Sequence, residues 1–324
     1  MINIEEIRSA AVRLKGHVRT TPILNSPFLD EIAGKNIFVK AESLQHTGSF
    51  KFRGGWSAIS AMTEKQRKNG VVAISSGNHA QGVANAARAF STKAVIIMPK
   101  DAPALKITNT KKLGAEVILY DRTNQNREEL GAKISKERNL TLIKPYDEPL
   151  VIAGQGTCGL ELATQCKDLN ISNAEVMVCC GGGGLTAGVA LALEKEAPDY
   201  LVRTVEPERF DDVAKSLKAG KICRNKSMNG SICDAILTPE PGKVTFPIMR
   251  KLCGEGLTVS DEECMRAIYF AFIRLKLVLE PGGAAALAAA LFHSEKINSD
   301  NIIIIATGGN IDKETFAAAL TNYN

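Results

Sequence analysis

One lysine stands where an amine could do covalent chemistry. Lys51 lies in Glu42-Ser-Leu-Gln-His-Thr-Gly-Ser-Phe-Lys-Phe-Arg-Gly-Gly55, between Phe50 and Phe52. An apolar, glycine-rich setting desolvates an ammonium, lowers its pKa and frees the amine for Schiff-base chemistry. A lysine that merely opens a surface helix stays charged. A second segment, Ser75-Ser-Gly-Asn-His-Ala-Gln-Gly82, follows an apolar strand and precedes a helix. The hydroxyls of Ser75 and Ser76 and the backbone N–H groups there can take a carboxylate. Ser75 and Asn78 would serve equally well as helix caps. A third, Ala306-Thr-Gly-Gly-Asn310, sits directly after the run Asn301 to Ile305, and ligands of open α/β sheets sit at strand ends.

The fourth signal is a glycine run. Glu175-Val-Met-Val-Cys-Cys leads into Gly181-Gly-Gly-Gly-Leu-Thr-Ala187, a strand meeting a glycine loop that opens a helix. Glycine lets backbone approach a phosphate closely, and a helix N-terminus offers it unpaired N–H groups. Two readings stay open from these residues. Gly182, Gly184 and Ala187 fit G-x-G-x-x-A, with Glu206 placed to bind a ribose, which points to a dinucleotide and an NAD-dependent oxidoreductase. Alternatively, consecutive N–H groups form a cup for one phosphate monoester. A ligand-free tight turn would need fewer glycines, since each costs about 0.5–1 kcal/mol relative to alanine.

The elements that must hold these segments alternate. Asn3 with Glu6 makes a capping box for a first helix whose apolar face is Ile4, Ile7, Ala11 and Leu14. Strands are expected at Asn36 to Ala41, Val71 to Ser75, Ala94 to Met98, Glu116 to Tyr120, Glu175 to Cys180, Leu201 to Val205 and Asn301 to Thr307. Helices are expected from about His79 to Phe90, from Pro103, and from Arg127 to Glu137. Runs such as Ala-Val-Ile-Ile-Met do not alternate in polarity, which is the pattern of parallel sheet covered on both faces. Cys223 to Val244, rich in Gly, Pro, Asn and Ser, reads as an extended surface segment.

Composition narrows the function. The chain has 324 residues, 45% of them apolar, and a net charge of +5. It carries no basic tract with interleaved aromatics, so nucleic acid is not an expected partner. The apolar stretch Pro281 to Phe292 is too short to span a membrane, and Glu5 and Glu6 stand where a leader would be apolar. The eight cysteines include no C-x-x-C and do not cluster with the four histidines. Free, mostly buried thiols in a reducing cytoplasm are expected, and structural zinc is not.

Taken together, the lysine segment, the serine loop, the glycine run, Ala153-Gly-Gln-Gly-Thr157 and Ala306 to Asn310 resemble fold-type II pyridoxal-phosphate enzymes. The match is to the serine/threonine dehydratase and serine racemase family. The resemblance implies an α/β fold of two open, mostly parallel twisted sheets with helices on both faces. The cofactor would lie in a cleft between a large unit, 1–60 with 148–324, and a small one, 61–147. It implies that Lys51 holds pyridoxal 5′-phosphate covalently, beside Phe50. Asn78 would meet the 3′-oxygen, Gly181, Gly182, Gly183 and Gly184 the phosphate, and Thr307 the pyridine nitrogen. Many relatives carry serine in place of Thr307, and the hydroxyl is kept.

The implied reaction is elimination of water and ammonia from L-threonine or L-serine to give a 2-keto acid. Serine racemisation and dehydration of 3-hydroxyaspartate are the alternatives, and an amino-acid sensor that keeps the fold is a remote one. Lys51 would take the α-proton. Ser76 matches the second acid/base of serine racemases. Ser75, Gly77, His79, Arg127, Tyr146 and Asp234 would line the substrate subsite. Arg127 matches a racemase-type arginine, although a solvated helix residue paired with Glu128 or Glu129 fits equally. Tyr146 stands where animal serine racemases carry asparagine, and Cys233-Asp-Ala235 replaces the usual Ala-Asp-Gly. Glu206, Phe210 and Asp212 match a site for Mg²⁺ or Ca²⁺, whose hard cations suit oxygen ligands. A homodimer is implied too, and no regulatory domain is expected beyond Asn324.

Overall fold

Isoleucine, valine and alanine in unbroken runs build the strands, and the two faces of each run feed different cores. The computed structural model describes residues 2–102, 104–121, 123–227 and 229–323. Among them are strands β1 (Ile23–Asn25), β2 (Asn36–Lys40), β3 (Val71–Ile74), β4 (Ala94–Pro99), β5 (Glu116–Tyr120), β6 (Thr141–Leu142), β7 (Ala174–Cys179), β8 (Leu201–Pro207), β9 (Leu257–Val259) and β10 (Asn301–Ile305). They form two sheets, ordered β1-β2-β10-β7-β8-β9 and β5-β4-β3-β6. Among these strands of the described residues, only the β1–β2 pairing is antiparallel. The expected architecture of two mostly parallel sheets is therefore present.

Side chains alternate across a strand, and β10 shows the result. Ile302 and Ile304 pack with Met177, Val205 and the Ala-rich helix Pro281–Phe292. Ile303 and Ile305 face the other way, onto Cys158, Leu162, Leu185 and Val189 from helices Pro149–Asp168 and Gly184–Glu196. The smaller sheet repeats the pattern. Val71, Ala73, Ile96 and Met98 pack with Phe52, Trp56 and Ile59, while Val72, Val95 and Ile97 pack with Ile134 and Leu140. Helix Lys51–Ser60 thus shares its core with the smaller sheet. The first helix, Ile4–Leu14, carries the expected capping box at Asn3 and Glu6.

Several expectations need correction. Cys223 to Val244 is irregular and mostly exposed or half-buried, as expected, but it is pinned to the core by Cys233, fully buried, and Ile236, nearly so, on a 3-10 turn at Asp234–Ile236. Its polar composition did not reveal the apolar anchors set between the polar residues. Phe52 points into the core of the smaller sheet, against His46 and Trp56, so it does not flank the lysine amine. Strand β10 stops at Ile305, two residues early, because Thr307 and Gly308 turn to meet the lysine segment. The expected helix start at Pro103 lies outside the described residues; the helix runs Ala104–Lys112. Among the described residues no helix is long and apolar enough to cross a membrane. Six of the eight cysteines are buried, and all are free.

Candidate active site

Hydrogen bonds strap the lysine segment to the loop after β10. Phe50 N donates to Thr307 O at 3.2 Å, Gly309 N donates to Gly48 O at 2.9 Å, and Ser49 bridges Gly308. The next strand in the sheet is β7, which runs directly into the glycine run. Lys51, Thr307 and Gly181–Gly184 are therefore gathered at the C-terminal ends of neighbouring parallel strands, where α/β sheets bind ligands. Lys51 is also the first residue of its helix, so the positive end of the helix adds to the cost of its charge. Burial pushes the amine down to about 8, with Glu280 opposing. Nζ donates to Pro145 O at 2.8 Å and sits 5.1 Å from the Phe50 ring centroid.

The glycine run has no room for side chains. A Cβ on Gly182 would stand 2.2 Å from the Tyr146 ring, one on Gly183 2.4 Å from Met249, and one on Gly184 2.7 Å from Gln155 Oε1. Gly183 also has φ +87°, the left-handed region that favours glycine. Around this cup lie buried polar atoms without hydrogen-bond partners: both amide atoms of Gln155, the Thr186 hydroxyl and the Thr238 hydroxyl. Unpaired buried donors are costly. Here they surround the first turn of helix Gly184–Glu196, whose opening N–H groups have no partner within the helix.

Beside the loop after β10, Asn78 is fixed from both sides. Its Oδ1 accepts from Asn310 Nδ2 at 2.7 Å, and its Nδ2 donates to Glu280 Oε1 at 2.5 Å. Burial pushes the Glu280 carboxyl up to about 7, opposed by the Asn78 hydrogen bond. His79 lies behind them, buried, with Nε2 3.0 Å from Ile143 O. Burial pushes it down to about 3, with Lys51 adding, so it is neutral. Its other ring nitrogen, Nδ1, is unpartnered.

Ser75, Ser76, Gly77 and Asn78 are half-buried and open helix Asn78–Ala89. The Ser75 hydroxyl accepts from Gly77 N at 3.2 Å. Ser75, Ser76, Tyr120 and Arg127 line a cavity of about 30 Å³. Arg127 Nε bonds Glu128 at 2.7 Å at the same time, the local pairing weighed for it from sequence. Burial pushes the Tyr146 phenol up, and the Arg127 charge opposes this. Asp234 is more than half exposed and pairs with Lys106 at 3.2 Å.

Glu206 lies at the C-terminal end of β8, with Phe210 and Asp212 just beyond it, on the same edge of the larger sheet as the glycine run. Glu206 accepts from Val213 N at 2.9 Å and Ala214 N at 2.7 Å. Asp212 Oδ1 accepts from Asn225 at 2.6 Å, while Oδ2 is buried and unpartnered. Phe210 is buried beside them. Burial pushes Asp212 up to about 7 and Glu206 well above the usual range, and the charges of Asp212 and Asp211 add repulsion on Glu206. Among the described residues no group of three or more His, Cys, Asp or Glu side chains could hold a metal ion.

Residues 14–308 match the family model described as pyridoxal-phosphate dependent enzyme. The chain is 43% identical to the L-threo-3-hydroxyaspartate ammonia-lyase of Pseudomonas sp., over 97% of each chain. It is 41% identical to the serine racemase of Schizosaccharomyces pombe, over 98% of this chain and 97% of the relative. The T.th. threonine deaminase superposes with a TM-score of 0.90 at 42% identity, covering 96% of this chain and 99% of that one.

The residues present fit pyridoxal phosphate. A glycine cup bordered by the unpartnered donors Gln155 Nε2 and the Thr186 and Thr238 hydroxyls suits a phosphate, and a buried amine with a depressed pKa suits a covalent bond to an aldehyde. Sequence reasoning overlooked Glu280 and Lys106, and quoted Gln155 and Asn310 within their motifs without giving them a role. Glu280 had a signal: an acid directly before Pro281-Gly-Gly, at the cap of an otherwise wholly apolar helix.

Proposed function

The chain belongs to the pyridoxal-phosphate-dependent enzymes, and from that premise we propose that it is an ammonia-lyase for small β-hydroxy amino acids, with 3-hydroxyaspartate preferred over serine and threonine. The observation that carries the reading is that Arg127 lines one small cavity together with Ser75 and Ser76. The serine loop would receive the α-carboxylate. Arg127, swung from Glu128, would receive a second carboxylate that serine and threonine lack, and its planar fork suits that partner. The similarity to a 3-hydroxyaspartate ammonia-lyase supports the same choice.

The groups divide the work. Bound pyridoxal phosphate supplies an electron sink that acidifies the substrate's α-hydrogen. Gly181–Gly184, Thr186, Thr238 and Gln155 would hold its phosphate, Asn78 its 3′-oxygen, and the Thr307 hydroxyl its ring nitrogen. Lys51 would hold the cofactor in the resting enzyme and take the α-proton in turnover. A pKa near 8 keeps a useful fraction of that amine basic near neutral pH. The β-hydroxyl leaves with a proton as water, and the enamine that remains hydrolyses to a 2-keto acid and ammonia.

Racemisation is a second reading with its own support. Among the described residues the Ser76 hydroxyl makes no hydrogen bond, whereas Ser75 is tied to Gly77 N. An untethered Ser76 would be able to exchange a proton with Cα if it faces the substrate from the side opposite Lys51, and a serine racemase is among the similar proteins. The proposal extends to Mg²⁺ or Ca²⁺ held by Glu206, Asp212, the Phe210 carbonyl and waters, and to a homodimer. Two neighbouring buried carboxylates, Glu206 and Asp212, the latter with an unpartnered Oδ2, support the former. Exposed Phe28 and Phe272, with Arg274 4.2 Å from the Phe28 ring, support the latter.

Two variants test the reading. Lys51→Ala should lose the cofactor's visible band, its borohydride-trapped adduct and turnover, with the fold retained. Arg127→Met should cut kcat/KM for L-threo-3-hydroxyaspartate by about 10- to 100-fold, the worth of a charged hydrogen bond, and change that for L-serine less than threefold. Equal losses on both substrates would remove the preference for the diacid.

A further inference from the structure

Lys106 belongs to helix Ala104–Lys112, beside the smaller sheet, yet its amine reaches the turn Asp234–Ile236, which packs into the core of the larger sheet. Nζ stands 3.2 Å from Asp234 Oδ2, and the lysine side chain is only 16% exposed. A charge so covered needs a partner. Asp234 is the partner at hand, and the Lys106 charge also reaches Glu280 and Asp312.

Each end of the pair is mounted on the site. Asp234 opens the turn Asp234–Ile236, and Ile236 Cα would be 3.2 Å from a Cβ on Gly181. The same turn packs on helix Pro281–Phe292, since a Cβ on Gly282 would meet Ala235 and Ile236 at 3.3 Å. At the other end, Lys106 Nζ is 3.9 Å from where a Cβ on Gly77 would stand. Gly77 lies between Ser76 and Asn78, in the loop that the proposed function gives to the substrate carboxylate. The amine therefore sits between the serine loop of the smaller sheet and the backbone that walls the glycine run.

We propose that Lys106 and Asp234 form a positioning pair across the cleft, which sets how far the Ser75–Asn78 loop stands from the glycine run and so fixes the substrate-carboxylate subsite. The inference rests on the reading that this loop receives that carboxylate. Asp234 then acts through Lys106 and does not touch substrate. Its place as an exposed acid at the cleft rim, fixed by a packed turn, suits that part.

The pair makes a double-mutant signature. In the holoenzyme, Lys106→Met and Asp234→Asn should each raise KM about five- to tenfold while kcat changes less than threefold. Hydrogen exchange should quicken in both variants over residues 75–82 and 104–112. The double variant should be no worse than either single one. The exchanged pair Lys106→Asp with Asp234→Lys should recover most of the lost KM and of the lost protection. Additive losses, a silent Asp234→Asn, or an exchanged pair no better than the singles would overturn the proposal. If the wild-type protein turns over no β-hydroxy amino acid but exchange shows the coupling, the substrate reading fails and the pair stands. If the wild type turns over and the variants alter neither KM nor exchange, the pair fails and the substrate reading stands.

Discussion

Glu280 Oε1 accepts a hydrogen bond from Asn78 Nδ2 at 2.5 Å, across 202 residues of sequence. The carboxyl is buried, and its pKa is raised from 4.5 to about 7. Between those values the folded chain keeps a proton that the unfolded chain has lost. Stability from this group is complete below about pH 4.5 and is lost as pH rises through 7. Glu280→Gln should therefore flatten the pH dependence of the cofactor-free protein. Wild type should lose on the order of 2–3 kcal/mol more than the variant between pH 4.5 and 8. Urea titrations of both proteins at the two pH values measure it. Parallel losses in the two proteins would show that Glu280 is not the group titrating.

Gly183 tests the cup without touching the acid–base groups. Its φ of +87° and the 2.4 Å approach of Met249 to its missing Cβ leave alanine neither backbone nor space. Gly183→Ala should cost about 1–3 kcal/mol in stability and weaken pyridoxal-phosphate affinity at least tenfold, read by fluorescence titration. Met249→Ala in the same chain opens the space but leaves the backbone strain. Met249 is itself buried, so the cost of Met249→Ala alone is subtracted in a double-mutant cycle; the coupling should offset part of the Gly183→Ala loss, and a coupling equal to the whole loss would mean that φ was not limiting.

What was legible in the sequence was local. Lys51, the glycine run and Thr307 each follow or open an element within a few residues, so strand-then-loop reasoning reaches them. The partners that tune them come from far along the chain. Lys106 meets Asp234 over 128 residues, and Glu280 meets Asn78 over 202. Neither contact leaves a periodic trace. Phe52 shows the converse failure: adjacency to Lys51 suggested that it covers the amine, but one step along a helix turns a side chain by about 100°. It turns into the core of the smaller sheet.

The paired acids at the end of β8 carry a prediction about protons as well as metal. Burial and neighbouring carboxylates raise Glu206 and Asp212, the latter to about 7. A divalent cation must displace the protons they retain at neutral pH. Adding Mg²⁺ or Ca²⁺ near pH 7 in weak buffer should release protons and raise the melting temperature, and chelation should reverse both. Asp212→Ala should abolish the proton release and the thermal response together. A melting temperature indifferent to metal and chelator would count against the site.

The split between elimination and racemisation rests on Ser76. Elimination from an L-amino acid needs one base, and Lys51 suffices. Racemisation needs proton exchange at Cα from the other side, where the untethered Ser76 hydroxyl is the group proposed. Ser76→Ala should therefore abolish D-serine formation from L-serine, while elimination from the L-isomer survives far better. Elimination from D-serine should fall together with racemisation, because its α-hydrogen faces Ser76. A general acid/base is commonly worth about 10²–10⁴-fold, well above assay noise. Should Ser76 instead only bind the α-carboxylate, both isomers would weaken alike and mainly through KM, as loss of uniform binding requires. Measuring 2-keto acid release and enantiomer exchange from each isomer separates the two. The Lys106→Met variant supplies the contrast, since loosening the serine loop should raise KM for both isomers without changing their ratio. An equal loss for both isomers in Ser76→Ala would withdraw the racemase role and leave the lyase alone.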